Sequence, residues 1–88
     1  MIRLTERAEE VLRRSVAAAR RFDPGVGIRV ARRGDEIAFG LASGPAPDDA
    51  TVEGDGFVLF VEAGLAGTVD ALDHDKLVLA LDGGEAAR

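Results

Sequence analysis

The sequence predicts an α+β domain, with one N-terminal amphipathic helix packed on a mostly antiparallel twisted sheet or small β-sandwich. Apolar residues recur at three- and four-residue intervals in the first quarter of the chain and at every second residue in much of the remainder. The length of 88 residues accommodates one hydrophobic core and no second. Residues 1–88 therefore read as a single domain, with 82–88 a polar tail expected to fray.

Ile2 and Leu4 form a short strand running into Thr5, whose hydroxyl suits the N-cap of a helix. Glu6, Glu9 and Glu10 occupy the early turns and Arg13, Arg14, Arg20 and Arg21 the later ones, matching the helix dipole at both ends. Glu9 with Arg13 and Glu10 with Arg14 have the spacing of favourable i, i+4 pairs. Ala8, Val11, Leu12, Val16, Ala19 and Phe22 make one apolar stripe, which should face a sheet. Asp23-Pro24-Gly25 then stops the helix, because proline cannot continue it and glycine tolerates the turn.

Ile28 and Val30 alternate with Arg29 and Ala31, and Arg33-Gly34-Asp35 turns the chain into Ile37, Phe39 and Leu41. This is the pattern of a β-hairpin with one buried face. Ser43 to Ala50 is a loop within the domain, rich in Gly, Pro and Asp. Thr51 to Glu53, a Gly54-Asp55-Gly56 turn and Phe57 to Val61 make a second hairpin, whose longer strand is apolar on both faces and so belongs at a sheet centre. Ala63 to Leu72 reads as a short helix through Leu65, Val69 and Leu72, weakened by Gly64 and Gly67, and Lys76 to Leu81 is the last strand.

Composition narrows the chemistry. The chain has no cysteine, which excludes thiolate catalysis, disulfides and cysteine ligation of a metal or cluster. Hydrophobic residues at 47% and charged residues at 31% describe a globular domain held by aliphatic burial. There is no apolar run of the ~20 residues that a membrane span needs. Met1 to Glu10 interleaves charged and apolar residues, so a cytoplasmic location and no membrane partner are expected. Residues 1–33 carry nine Arg against four acids, and residues 34–88 carry Lys76 and Arg88 against twelve. The two halves can neutralise each other, and without Trp or Tyr no stacking platform for bases is evident, which disfavours a nucleic-acid surface. Abundant Ala, Gly, Arg and Asp with no Asn or Gln suggest a GC-rich bacterial genome.

Specific residues carry a resemblance along nearly the whole chain. Ile2, Leu4, Thr5 and Ala8 look like an I-x-L-T-x-x-A opening, and Gly27-Ile28-Arg29-Val30 like a G-x-R-V strand. Pro47-Asp48-Asp49, Val52, Gly56 and the strand ending at Glu62 look like a proline-acid loop and the strand after it. In these features the chain resembles the HesB/IscA-like family, the A-type iron–sulfur carriers. The resemblance implies a cluster held by one cysteine in a G-C-S-G turn after the G-x-R-V strand and by a C-x-C pair near the C-terminus. Counting back from Phe39 and Leu41 sets Gly34 at the first of these positions, and the chain passes from Leu81 to Asp82-Gly83-Gly84 where the pair would stand. Gly34 offers no donor, so no cofactor is expected.

Other candidate sites have ordinary structural readings. Asp73, His74 and Asp75 suit zinc or iron by residue type, with Asp70 near in sequence, but adjacent residues in a turn rarely converge on one ion. Ser15 and Ser43 have only His74 as a possible base and no nucleophile elbow, and Asp48 and Asp49 fit a cap or turn, so an enzyme is not expected. Arg20, Arg21, Arg29, Arg32 and Arg33 are candidates for an anion or partner surface, or for pairing with the downstream acids. Phe57 to Val61 reads as core ahead of a self-associating edge, and a homodimer stays open. The leading expectation is a non-catalytic accessory or interaction module with a protein partner, iron–sulfur assembly proteins being the candidates. The alternatives are a metal-binding protein using Asp and His ligands and an anion- or nucleic-acid-binding module using the Arg cluster.

Overall fold

Thr5 starts the helix as the sequence predicts. Its backbone is extended and its Oγ1 accepts a hydrogen bond from the Ala8 amide at 3.1 Å, satisfying one of the free donors of the first turn. The computed structural model describes residues 2–81, so the tail at 82–88 lies outside the described residues. Along these the order is β1 (Ile2–Leu4), α1 (Glu6–Ala19), β2 (Gly27–Arg33), β3 (Glu36–Ala42), β4 (Ala50–Gly54), β5 (Phe57–Val61), β6 (Gly67–Leu72), a one-turn 3-10 segment (Asp73–Asp75) and β7 (Lys76–Leu81).

The strands form two sheets. One has the order β3-β2-β5-β4, with β2 and β5 parallel and the other pairs antiparallel. The other has the order β1-β6-β7, with β1 parallel to β6 and β7 antiparallel to it. Ala8, Val11, Leu12 and Val16 are the buried residues of α1, which packs against β2, β5 and β6 and so touches both sheets. Leu12 and Val16 join Val26, Ile28, Val30, Phe57, Leu59, Val61 and Leu65 in one core, flanked by half-buried side chains from β1, β3 and β7.

The core strand reading of Phe57 to Val61 holds: β5 is hydrogen-bonded to β2 on one side and β4 on the other, so it presents no sheet edge. The segment expected to be a short helix is instead the central strand of the smaller sheet. In β6, Gly67, Val69 and Ala71 are buried and alternate with half-buried or exposed neighbours, which is period two. Pairing with β1 and β7 on both sides outweighed the i, i+4 spacing of Leu65, Val69 and Leu72.

The helix is shorter than its apolar stripe. It ends at Ala19 with Arg20 as C-cap, so Arg20 and Arg21 lie past its last turn, and Phe22 is left 90% exposed. Asp23-Pro24-Gly25 builds the following turn instead, with Val26 N donating to Asp23 O at 3.1 Å and Gly25 N to Asp23 Oδ1 at 3.1 Å. The arginines matched to Glu9 and Glu10 reach elsewhere: Arg13 Nη1 donates to the Asp55 carbonyl at 3.2 Å and Arg14 pairs with Asp75 at 3.4 Å. Bonds from the helix to distant turns tie the layers together in a way that pairs along the helix do not.

Candidate functional site

Gly34 sits at the exposed tip of the β2–β3 hairpin, where Arg33 pairs with Glu36 across a two-residue turn. Its φ of +63° is the reason for glycine, since the first central residue of a tight hairpin turn takes a conformation costly for other residues. A Cβ there would meet nothing within 4 Å, so the position has room for a side chain and supplies none. The position after Leu81, where a C-terminal ligand pair would follow, lies outside the described residues.

The five candidate arginines divide. Arg20 and Arg21 follow α1, whereas Arg29, Arg32 and Arg33 belong to β2 and together line a shallow hollow of about 370 Å³ against β3. Arg29 is already engaged. Its Nε and Nη2 donate to Asp49 Oδ2 and Oδ1 at 2.8 and 3.0 Å, a bidentate pair in which the Asp49 side chain is 1% exposed. Asp49 Oδ2 also accepts from Ala46 N at 2.9 Å, so Arg29 clamps the 43–49 loop to the sheet through the carboxylate that the sequence assigned to a turn. The hydrogen bond from Arg29 holds the Asp49 carboxyl below its ordinary range, and the same bond keeps Arg29 charged. Arg32 contributes its backbone N–H to Glu62 Oε1 at 2.6 Å, leaving its guanidinium and that of Arg33 as the exposed part of the cluster.

Asp73, His74 and Asp75 form the turn between β6 and β7, and all three are exposed. Their acids face arginines of the helix: Asp73 lies 3.8 Å from Arg7 and Asp75 3.4 Å from Arg14. Among the described residues no group of three or more His, Cys, Asp or Glu side chains is arranged to hold a metal ion. Asp70 does not join them. It is turned back to the helix start, where its Oδ1 accepts from Thr5 Oγ1 at 2.8 Å and from Ala71 N at 2.8 Å. Those bonds, that from Thr5 foremost, hold its carboxyl below the ordinary value.

This Thr5–Asp70 link, which joins the helix cap to β6 across 65 residues, carries no local signal in the sequence. It and the Arg29–Asp49 clamp make stability depend on acid. Because both aspartates titrate lower in the folded chain than unfolded, their contribution is fully present above about pH 4 and is lost as pH falls through the depressed folded values. The unfolding midpoint is expected to drop in that window, and to drop less steeply in Asp49→Asn. A midpoint equally steep in the variant would exclude the clamp as a source of the acid sensitivity.

No helix among the described residues is long and apolar enough to cross a membrane. No family model matches the chain, and no curated protein does. Among solved structures it is similar to Escherichia coli SufA, a protein involved in biosynthesis of iron–sulfur clusters, with a TM-score of 0.66 and 26% identity over 90% of this chain and 81% of that one. It also aligns with IscA carrying a [2Fe-2S] cluster, at a TM-score of 0.49 and 23% identity over 89% and 80% of the two chains. The chain thus has a fold similar to that of the A-type iron–sulfur carrier SufA, in a sequence without cysteine.

Proposed function

We propose that this chain is a non-catalytic interaction module of the bacterial cytoplasm, related by descent to iron–sulfur cluster assembly, which has kept the carrier fold without its cargo site. One observation carries the reading: a SufA-like fold over 90% of the chain coexists with a sequence that contains no sulfur donor except Met1. A bridging cluster takes thiolate ligands, with imidazole as the occasional replacement. Gly34 offers neither, and His74 stands in a turn whose flanking acids face Arg7 and Arg14. The residues present therefore do not fit a cluster. The same ion pairs count against a metal site built on Asp73 and Asp75, and the engagement of Arg29 with Asp49 counts against a five-arginine anion site.

The test has two arms. Chain purified without a histidine tag and incubated anaerobically with ferrous iron and sulfide is expected to elute without a stoichiometric visible chromophore. Immobilised on a resin and exposed to extract of its native cell, it is expected to retain iron–sulfur assembly proteins. A bound chromophore would refute the loss of the cargo site, and recovery of nothing above background would refute the module.

A further inference from the structure

β3 is the longest strand at a sheet edge: β2 pairs with one side of it, and among the described residues no strand pairs with the other. Alternation fixes which backbone groups that free side offers. Val30 O accepts from Glu62 N at 2.9 Å and Arg32 N donates to Glu62 Oε1 at 2.6 Å, and Glu62 directly follows β5 on the far side of β2. Arg29, Ala31 and Arg33 therefore turn their N–H and C=O toward β3, where they meet Gly40, Ala38 and Glu36. Ile37, Phe39 and Leu41 turn theirs the opposite way, and no hydrogen bond engages those groups among the described residues. β7 lies near β3 without joining its ladder. The ladder with β2 runs unbroken from Glu36 to Ala42, so no bulge twists the edge away, and after Glu36 the strand carries neither charge nor proline to block it.

We infer that this edge takes an extended segment of a partner protein, built of alternating apolar and acidic residues, which adds as a further strand beside β3. The inference deepens the reading of the chain as an interaction module and rests on it. The segment's backbone meets the free groups of Ile37, Phe39 and Leu41. Its apolar side chains extend the face on which Ile37 and Phe39 pack against the core. Its acidic side chains fall on the opposite face, where β2 carries Arg29 and Arg33 and β3 carries Ala38 and Gly40. The small size of those two residues leaves the hollow of about 370 Å³, across which an arginine of β2 can reach the added strand. Three arginines and no acid line it, and the guanidinium groups of Arg32 and Arg33 make no ion pair among the described residues. Asp35 and Glu36 stand at the hairpin tip outside that lining, so the acids of the segment belong beside Ala38 and Gly40. A second copy is a poorer occupant, because its own β3 offers only Glu36, at one end.

Fluorescence anisotropy with a labelled seven-residue peptide of alternating valine and glutamate, the length of β3, tests the proposal. The wild type is expected to bind it saturably even though the chain itself has a net charge of -5. Lysine in place of glutamate in the peptide, or Arg33→Glu in the chain, is expected to weaken binding at least about tenfold, since like charges then meet. Arg20→Glu combined with Arg21→Glu alters the net charge away from the edge and should change the affinity less than about twofold, because exposed charges at that distance are screened. Leu41→Pro removes an outward N–H and none that bonds β2, and should abolish binding. Should that variant fail to fold, the peptide N-methylated at every amide takes its place, since it removes main-chain bonds from the other partner. Absence of saturable binding to the wild type, equal binding of the lysine or N-methylated peptide, displacement of the peptide by single-stranded DNA, or a dimer of the chain that occupies the edge would each overturn the proposal. The extract experiment fails separately: a chain that retains assembly proteins and not the peptide loses this surface and remains a module, whereas one that binds the peptide and retains nothing has the edge and loses the module.

Discussion

Leu12→Ala is expected to lower the free energy of unfolding by about 3 kcal/mol, within the range for buried leucine truncations. Leu12 is fully buried in the helix that packs against strands of both sheets, so the cavity opens where the two layers and α1 meet. For a domain of this size that corresponds to a fall in melting temperature of roughly 12–24 °C. It is also a large part of the ~5–15 kcal/mol that a small domain has in total. Urea unfolding followed by far-ultraviolet circular dichroism measures it. Leu12→Met, which keeps the volume, should cost under about 1.5 kcal/mol. A loss below about 1 kcal/mol for Leu12→Ala would mean that α1 is not seated on the sheets as described.

The second large effect comes from adding a single methyl group. At Gly67 a Cβ would strike the Ala80 carbonyl oxygen and lie 2.9 Å from the carbonyl carbon and 3.0 Å from Leu81 Cα. The obstacle is backbone of β7, and Gly67 is also paired with Ile2 of β1, so no side chain can move aside to make room. Gly67→Ala is therefore expected to destabilise by about 3 kcal/mol, at the upper end of overpacking costs, with hydrogen exchange accelerating first in β6 and β7. Gly40→Ala provides the control. Its Cβ would meet nothing within 4 Å, and the change should stay within about 0.5 kcal/mol. Equal effects at the two glycines would show that the close approach of β6 and β7 is not what demands glycine at residue 67.

Local pattern was a good guide where an element shows a single period or is apolar on both faces. The Thr5 cap, the strands on either side of Gly34 and the apolar run Phe57 to Val61 all lie where periodicity and turn chemistry put them. The pattern misled where a segment satisfies two periods at once. Between residues 63 and 72, Leu65, Val69 and Leu72 fit a helix while Gly67, Val69 and Ala71 fit a strand, and only the presence of β1 and β7 on either side decides between them. Phe22 failed for a related reason. It has the spacing of the helical stripe, but the helix ends at Ala19 before that spacing can bring it to the sheet.

The candidate site divides along the same line. That no cysteine is available to hold a cluster follows from the amino-acid sequence alone, because ligation needs a donor atom and composition states which donors exist. Which charges are already engaged is a matter of tertiary structure. Arg29 and Asp49 are twenty residues apart, and Asp70 and Thr5 sixty-five, and pairing over such distances depends on how the sheets close and not on any local preference of the chain. The fold thereby turned two of the charged or polar groups nearest the sequence's candidate sites, Arg29 and Asp70, into structural ties. It left Phe22, which the sequence assigned to the core, exposed on the surface.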